Sequence, residues 1–157
     1  MRRYALLVTL VVVAIVIGCQ RRAPVVSDAD KAAIETVLKN YITSIEGEDL
    51  DSYAQNMAHD TAMVNFGAFG APIVGWAALR EVIAAQNTGL DQTKIIATDQ
   101  RIHIAPSGQL AWATSLWDFR ATMGEMPMAL PIRCTWILEK RDGQWVILHF
   151  HKSLAAN

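Results

Sequence analysis

Apolar residues fall at Ile34, Val37, Leu38, Tyr41, Ile42 and Ile45. Three- and four-residue spacing of this kind lays one stripe along a helix. Ser27 with Asp30 supplies an N-cap and first-turn acid, and Gly47 supplies an end. Asp49 caps a second, shorter helix bearing Leu50, Tyr53 and Met57. Residues 61–66 read as a short strand, after which Gly67, Gly70 and Pro72 break the chain. A third helix is expected over residues 76–85, burying Trp76, Leu79, Val82 and Ile83. After Gly89 the apolar period drops to two, giving strands over residues 93–105, 109–123, 132–140 and 144–152. Pro106-Ser107-Gly108 is a turn, and residues 124–128 read as a loop. Helices first and strands after them predict an α+β fold, with helices on one face of an antiparallel sheet.

The last two strands flank Arg141-Asp142-Gly143. Asp-Gly between strand formers is a hairpin signal, because Gly accepts the positive φ of the turn. A two-residue turn would set Arg133 opposite Lys152, and like charges directly opposite repel. A three-residue loop with a bulge at Gly143 sets Arg133 opposite His151 and Thr135 opposite His149, and is the preferred register. Arg133, Thr135, His149 and His151 then share one face. Ile132, Cys134, Trp136, Val146, Leu148, Phe150 and Lys152 share the other.

The chain has 157 residues, 52% of them hydrophobic, and a formal charge of −1. That fits one domain plus an appendage and gives no general reason to expect nucleic-acid binding. The appendage is N-terminal: Arg2 and Arg3, an apolar run over residues 4–17, then Gly18 and Cys19. This is the layout of a secretory signal, and the run is shorter than the roughly 20 residues a bilayer span needs. Val16-Ile17-Gly18-Cys19 resembles a bacterial lipobox. The division expected is residues 1–18 as signal peptide, 19–27 as lipidated Cys19 and tether, and 28–157 as one domain. The resemblance implies a lipid anchor in the cell envelope, at the outer membrane if the cell is Gram-negative.

Trp145, Ile147, His149, His151 and Ser153 form the pattern W-x-I-x-H-x-H-x-S. It resembles the SnoaL-like members of the NTF2-like superfamily. Residues 143–153, GQWVILHFHKS, look like the end of the association (hub) domain of calcium/calmodulin-dependent protein kinase II. Residues 47–64 resemble the superfamily's helix-to-strand signature, and Gly75-Trp76 before a helix fits as well. The resemblance covers residues 28–153. It implies a cone in which three N-terminal helices pack on a curved antiparallel sheet around a pocket.

Such a pocket is the default ligand site. Tyr41, Tyr53, Asn65, Trp76, His103, Trp117, Arg133, His149 and His151 are the candidates to line it. Alignment with the superfamily's ketosteroid isomerases puts Tyr41 at their tyrosine, Asn65 at their base and Arg133 at their second acid. An amide cannot abstract a proton, and an arginine stays charged. Arg133 instead suggests either a small carboxylate ligand or an internal salt bridge to Asp60, Asp118 or Glu125. The hub resemblance implies carboxylate binding, with Lys152 at the place of one hub arginine and Trp136 at that of another. His149, His151 and His103 are a metal trio only on a weak spacing. Asp118 is either an acid–base group or a partner for Arg120. No cofactor and no metal are expected.

The expected function is therefore a membrane-tethered module that binds a small ligand, with a small carboxylate as the candidate, and self-associates as a homodimer. The alternative is a lyase, isomerase or cyclase acting on a small hydrophobic substrate, with Tyr41, Asp60, His103 or Asp118 as acid or base.

Overall fold

A computed structural model describes residues 27–154. Helix α1 spans Asp28–Glu46. Ser27 caps it, accepting from the Asp30 amide at 3.1 Å. Ile34, Leu38, Tyr41 and Ile45 recur on its buried face. Helix α2, Leu50–Gln55, is capped by Asp49, whose carboxylate accepts from the Ser52 amide at 2.9 Å. Helix α3, Trp76–Gly89, buries Leu79 and Ile83. The strands are β1 (Val64–Asn65), β2 (Ile73–Val74), β3 (Asp91–Ile104), β4 (Leu110–Met123), β5 (Met126–Arg141) and β6 (Gln144–Leu154).

Strands β3 to β6 form a four-stranded antiparallel meander in chain order. Helices pack on one face, where Trp117, Phe119, Ile132, Cys134, Trp136, Leu138 and Phe150 join the stripe of α1 in a single core. Strands β1 and β2 form a separate two-stranded ladder. The α+β class therefore holds, but the curved cone does not: the large sheet is open, with β3 and β6 as its edges. Two-residue strands broken by Gly67, Gly70 and Pro72 are too short to extend or close it.

The outer edge of β6 is nonetheless covered. Phe66 donates to the Phe150 carbonyl at 3.0 Å and accepts from Lys152 at 2.9 Å. Ala58 donates to the Ile147 carbonyl, and Ile147 to that of Asn56, both at 2.8 Å. Residues 56–66 thus occupy backbone groups that would otherwise invite another strand.

The closing hairpin corrects the expected register. Its turn has two residues, Asp142 and Gly143, both at positive φ, with Arg141 opposite Gln144. A bulge near Leu148 then shifts the pairing, so that Arg133 faces Ser153, Cys134 faces Lys152 and Thr135 faces His151. The repulsion between Arg133 and Lys152 is avoided by a bulge inside the strand instead of a longer loop. The bulge also flips the alternation: Trp145 and Ile147 are buried before it, Phe150 after it. Val146 and Leu148 consequently leave the face expected for them.

Strand β5 starts at Met126, where a loop was expected. Pro127 and Pro131 are tolerated there because β6 joins β5 only from Ile132 onward, leaving that stretch paired with β4 alone.

Candidate functional site

A cavity of about 200 Å³ lies among α3, the segment before β2 and the helix-covered face of the sheet. Ile83, Leu90, Phe119, Leu130 and Ile132 supply apolar wall, and Phe69 and Val82, both exposed, stand in its lining. Gln86 is the neutral amide in the lining, and Lys152 is its one charged side chain.

Lys152 sits where the chain would otherwise place an apolar residue, two positions after buried Phe150 on the inward face of β6. Its Nζ lies 5.0 Å from the ring centroids of Trp117 and Phe150 and 5.3 Å from that of Tyr41. Ring faces attract a cation by about 0.5–2 kcal/mol each, depending on desolvation. Among the described residues Lys152 has no ion-pair partner. Burial disfavours its charge and lowers its pKa to about 8, with nearby Cys134 acting weakly the other way. Cys134 is opposite it in the ladder, and burial pushes its thiol up to about 12. The thiol is neutral and a poor nucleophile near pH 7.

Behind Lys152 lies an aromatic cluster. The Tyr41 and Tyr53 rings are 5.1 Å apart, and those of Trp117 and Trp136 are 5.6 Å apart. Burial raises both tyrosine phenols above their ordinary range, so they are neutral groups at physiological pH. Tyr41 Oη, Tyr53 Oη, Asn65 Nδ2 and the indole nitrogens of Trp117 and Trp136 lack hydrogen-bond partners in this interior. Orphaned polar atoms of this kind are costly.

None of the nine residues expected to line a pocket borders this cavity. Tyr41 and Trp117 come near, as the cage under Lys152. Tyr53 is buried beside Tyr41. Asn65 is fully buried, and its Oδ1 accepts from the Phe150 amide at 2.9 Å, so it clamps β6. Trp76 stacks on His59 at 4.2 Å, and His103 on exposed Trp112 at 5.2 Å. His149 Nδ1–H donates to the Val64 carbonyl. His151 is exposed, with its ring edge-on to Phe66. Arg133 is exposed on the face away from the helices and donates to the Leu154 carbonyl at 2.6 Å. That position removes Arg133 from any role in the cavity. Among the described residues Arg133 pairs with none of Asp60, Asp118 and Glu125, the internal carboxylates considered for it.

His103, His149 and His151 do not converge, and among the described residues no three His, Cys, Asp or Glu side chains gather around a possible ion. Asp118 receives Arg120 at 2.7 Å in an exposed pair, which holds its carboxyl below the usual range. Asp60 is held low by Arg141, which also bonds Glu139. These carboxylates are ionised partners of arginines outside the cavity. Cys19 lies outside the described residues. No helix among the described residues is long and apolar enough to cross a membrane.

The sequence set Lys152 on the Cys134 and Trp136 face, and the hub resemblance set it at a carboxylate-binding arginine; it did not show that this face is the inward one or that Lys152 lines an apolar cavity. A lone lysine in an apolar alternation was the available signal. The placement of α3 and residues 67–73 beside it was not available from pattern.

An α+β chain with its helices on one face of an antiparallel sheet and an apolar cavity between them has the architecture of the NTF2-like proteins. The chain belongs to the family described as the SnoaL-like domain, which matches residues 34–157. An NTF2-like superfamily protein from Salmonella enterica serovar Typhimurium superposes with a TM-score of 0.75 at 20% identity, covering 82% of this chain and 93% of that one. A protein from Streptomyces avermitilis, provisionally named a dehydratase of the NTF2-like family, gives 0.74 at 11% identity, covering 83% and 100%. A Xanthomonas campestris protein, provisionally named a calcium/calmodulin-dependent protein kinase II association domain, gives 0.69 at 16% identity, covering 79% and 86%. At these identities the likeness is one of fold. No curated protein matches the chain.

Proposed function

We propose that the chain is an enzyme of the lyase, isomerase or cyclase kind, acting on a small hydrophobic substrate, with Lys152 as the group that moves a proton. One observation carries this reading: among the described residues the cavity's single charged lining residue, Lys152, has no ion-pair partner, and the rest of the lining is apolar apart from Gln86. A base works best when its pKa lies near the operating pH, and burial has moved this amine toward it. The provisional naming of the Streptomyces avermitilis relative as a dehydratase is in keeping with such chemistry. A ligand-binding module without chemistry is the second reading, favoured by the arginine-locked states of Asp60 and Asp118.

Cyclohexanone is a suitable probe, since it is compact, apolar and carries protons made acidic by a carbonyl. In heavy water the protein should accelerate exchange of those protons, followed by NMR, and Lys152→Met should reduce the acceleration at least tenfold. Cavity methyl shifts of Ile83 and Ile132 on adding cyclohexanone, without any exchange, would favour the binding module.

The proposal extends to anchoring and assembly. Val16-Ile17-Gly18-Cys19 motivates lipid attachment at Cys19 and a place in the cell envelope. Cys19→Ser should abolish incorporation of labelled palmitate and leave the precursor uncleaved; continued processing would refute the anchor. The helix-free face of the sheet motivates a homodimer.

A further inference from the structure

We propose that Lys152 forms a covalent imine with a small apolar ketone or aldehyde held in the cavity. This deepens the proton-transfer reading and rests on it, because an imine makes the adjacent carbon acid stronger.

The geometry supports it on both sides of the amine. On one side the Lys152 side chain lines a cavity of about 200 Å³ whose wall includes Ile83, Leu90, Phe119, Leu130 and Ile132. A carbonyl compound of several carbons fits, and a heavily hydrated or highly charged one would lose its solvation there. On the other side Nζ lies over the faces of Tyr41, Trp117 and Phe150. Three negative ring faces favour a cation, and the protonated imine is one. The cage thus suits the product as well as the resting ammonium.

The nucleophile must be the neutral amine. The titratable groups beside it are Cys134 on β5 and Tyr41 on α1, both neutral near pH 7, so neither holds the ammonium as a carboxylate would. With its pKa lowered from 10.5 to about 8, roughly a tenth of Lys152 is neutral at about pH 7, against well under a thousandth of an exposed lysine.

The step balances without an outside oxidant or reductant. The Nζ lone pair forms the N–C bond, and the carbonyl π pair moves to oxygen, which takes a proton from water. The carbinolamine then loses water, leaving C=N with a proton on nitrogen. The ammonium and the carbonyl compound become an iminium and one water. Electron withdrawal by the iminium then acidifies the neighbouring C–H.

The test is reductive trapping on the full chain in detergent, with cyclohexanone as probe and sodium cyanoborohydride as trap, followed by peptide mapping. Exposed Lys31, Lys39 and Lys94 serve as internal controls. The expected result is an N-cyclohexyl adduct on Lys152 at least tenfold above each control. Lys152→Arg keeps the cation and should give no adduct in the β6 peptide, with its fold checked by circular dichroism; Lys152→Met is the second variant. Labelling spread evenly over all lysines overturns the proposal. Exchange of the cyclohexanone protons without an adduct on Lys152 also overturns it, yet leaves Lys152 as a simple base. Absence of both exchange and adduct removes the imine and the proton-transfer reading together. A selective adduct without exchange upholds the imine and removes the proton transfer.

Discussion

At the scale of single residues, the balance at Lys152 is between desolvation and the aromatic cage. Desolvation wins: burial lowers the amine to about 8, although three ring centroids lie within 5.3 Å of it. This has a consequence for stability with a definite sign. Between about 8 and the ordinary value of 10.5, the unfolded chain binds the proton and the folded chain does not. Stability therefore rises with pH across that window, and below it the full cost of the buried charge remains. Cys134 and Tyr41 oppose this, because their raised values make the unfolded state lose protons first as pH rises. Comparing wild type with Lys152→Met cancels those shared groups. The variant should be the more stable near pH 7, and its advantage should shrink by at most about 3 kcal/mol toward pH 10.5. Urea midpoints at a series of pH values would show it, and a pH-independent difference would contradict it.

At the scale of elements, two contacts decide how the helices sit on the sheet. Asp30 in the first turn of α1 accepts from Lys140 at 2.6 Å and from the Trp145 indole at 3.0 Å. Those bonds and Ser27 lower its carboxyl to about 2. A lowered carboxylate contributes stability above its ordinary value near 3.8 that is lost as pH falls toward about 2. Asp30→Asn should therefore flatten the acid limb of the stability curve between those values, read by urea denaturation. The second contact is at Gly75, which precedes α3 at φ 82° and would set a Cβ 2.9 Å from the Thr61 carbonyl oxygen. Gly75 also donates to Met63 at 2.8 Å, fixing α3 against the segment before β1. Gly75→Ala should cost on the order of 1–3 kcal/mol, measured by the same method. The helices were readable from spacing and caps. The bulge near Leu148 was not, because the pleat alternation of residues 144–152 looks unbroken until residues 56–66 are placed along β6.

At the scale of the whole molecule, the helices cover the Cys134 and Trp136 face, so the most apolar face of the late strands is not the exposed one. The open face carries Leu110, Trp112 and Leu116, each 41–47% exposed, beside Thr114 and His103. Its dimer would be isologous, with the same patch on both copies. Leu116→Glu lies outside the cavity, and should turn a dimer into a folded monomer by light scattering at micromolar concentration. A wild-type monomer under those conditions would remove the dimer proposal.

Local and periodic features belonged to the sequence alone. The Ser27 and Asp49 caps, the stripe from Ile34 to Ile45 and the Asp142-Gly143 turn depend on neighbours within a few residues, and spacing records such neighbours directly. Which residues of β5 share a face, Cys134 with Trp136 and Arg133 with Thr135, was equally legible, since side chains alternate with period two. The open sheet, the shifted register and the site needed the tertiary structure. They depend on contacts between residues far apart in the chain: Phe66 against Phe150, Asn65 against β6, and α3 and residues 67–73 enclosing Lys152. Arg133 and Lys152 illustrate the division. Each is a basic residue in a late strand of the same hairpin, and pattern placed them on opposite faces. Only the packing of the helices decided that the face with Lys152 would be the buried one.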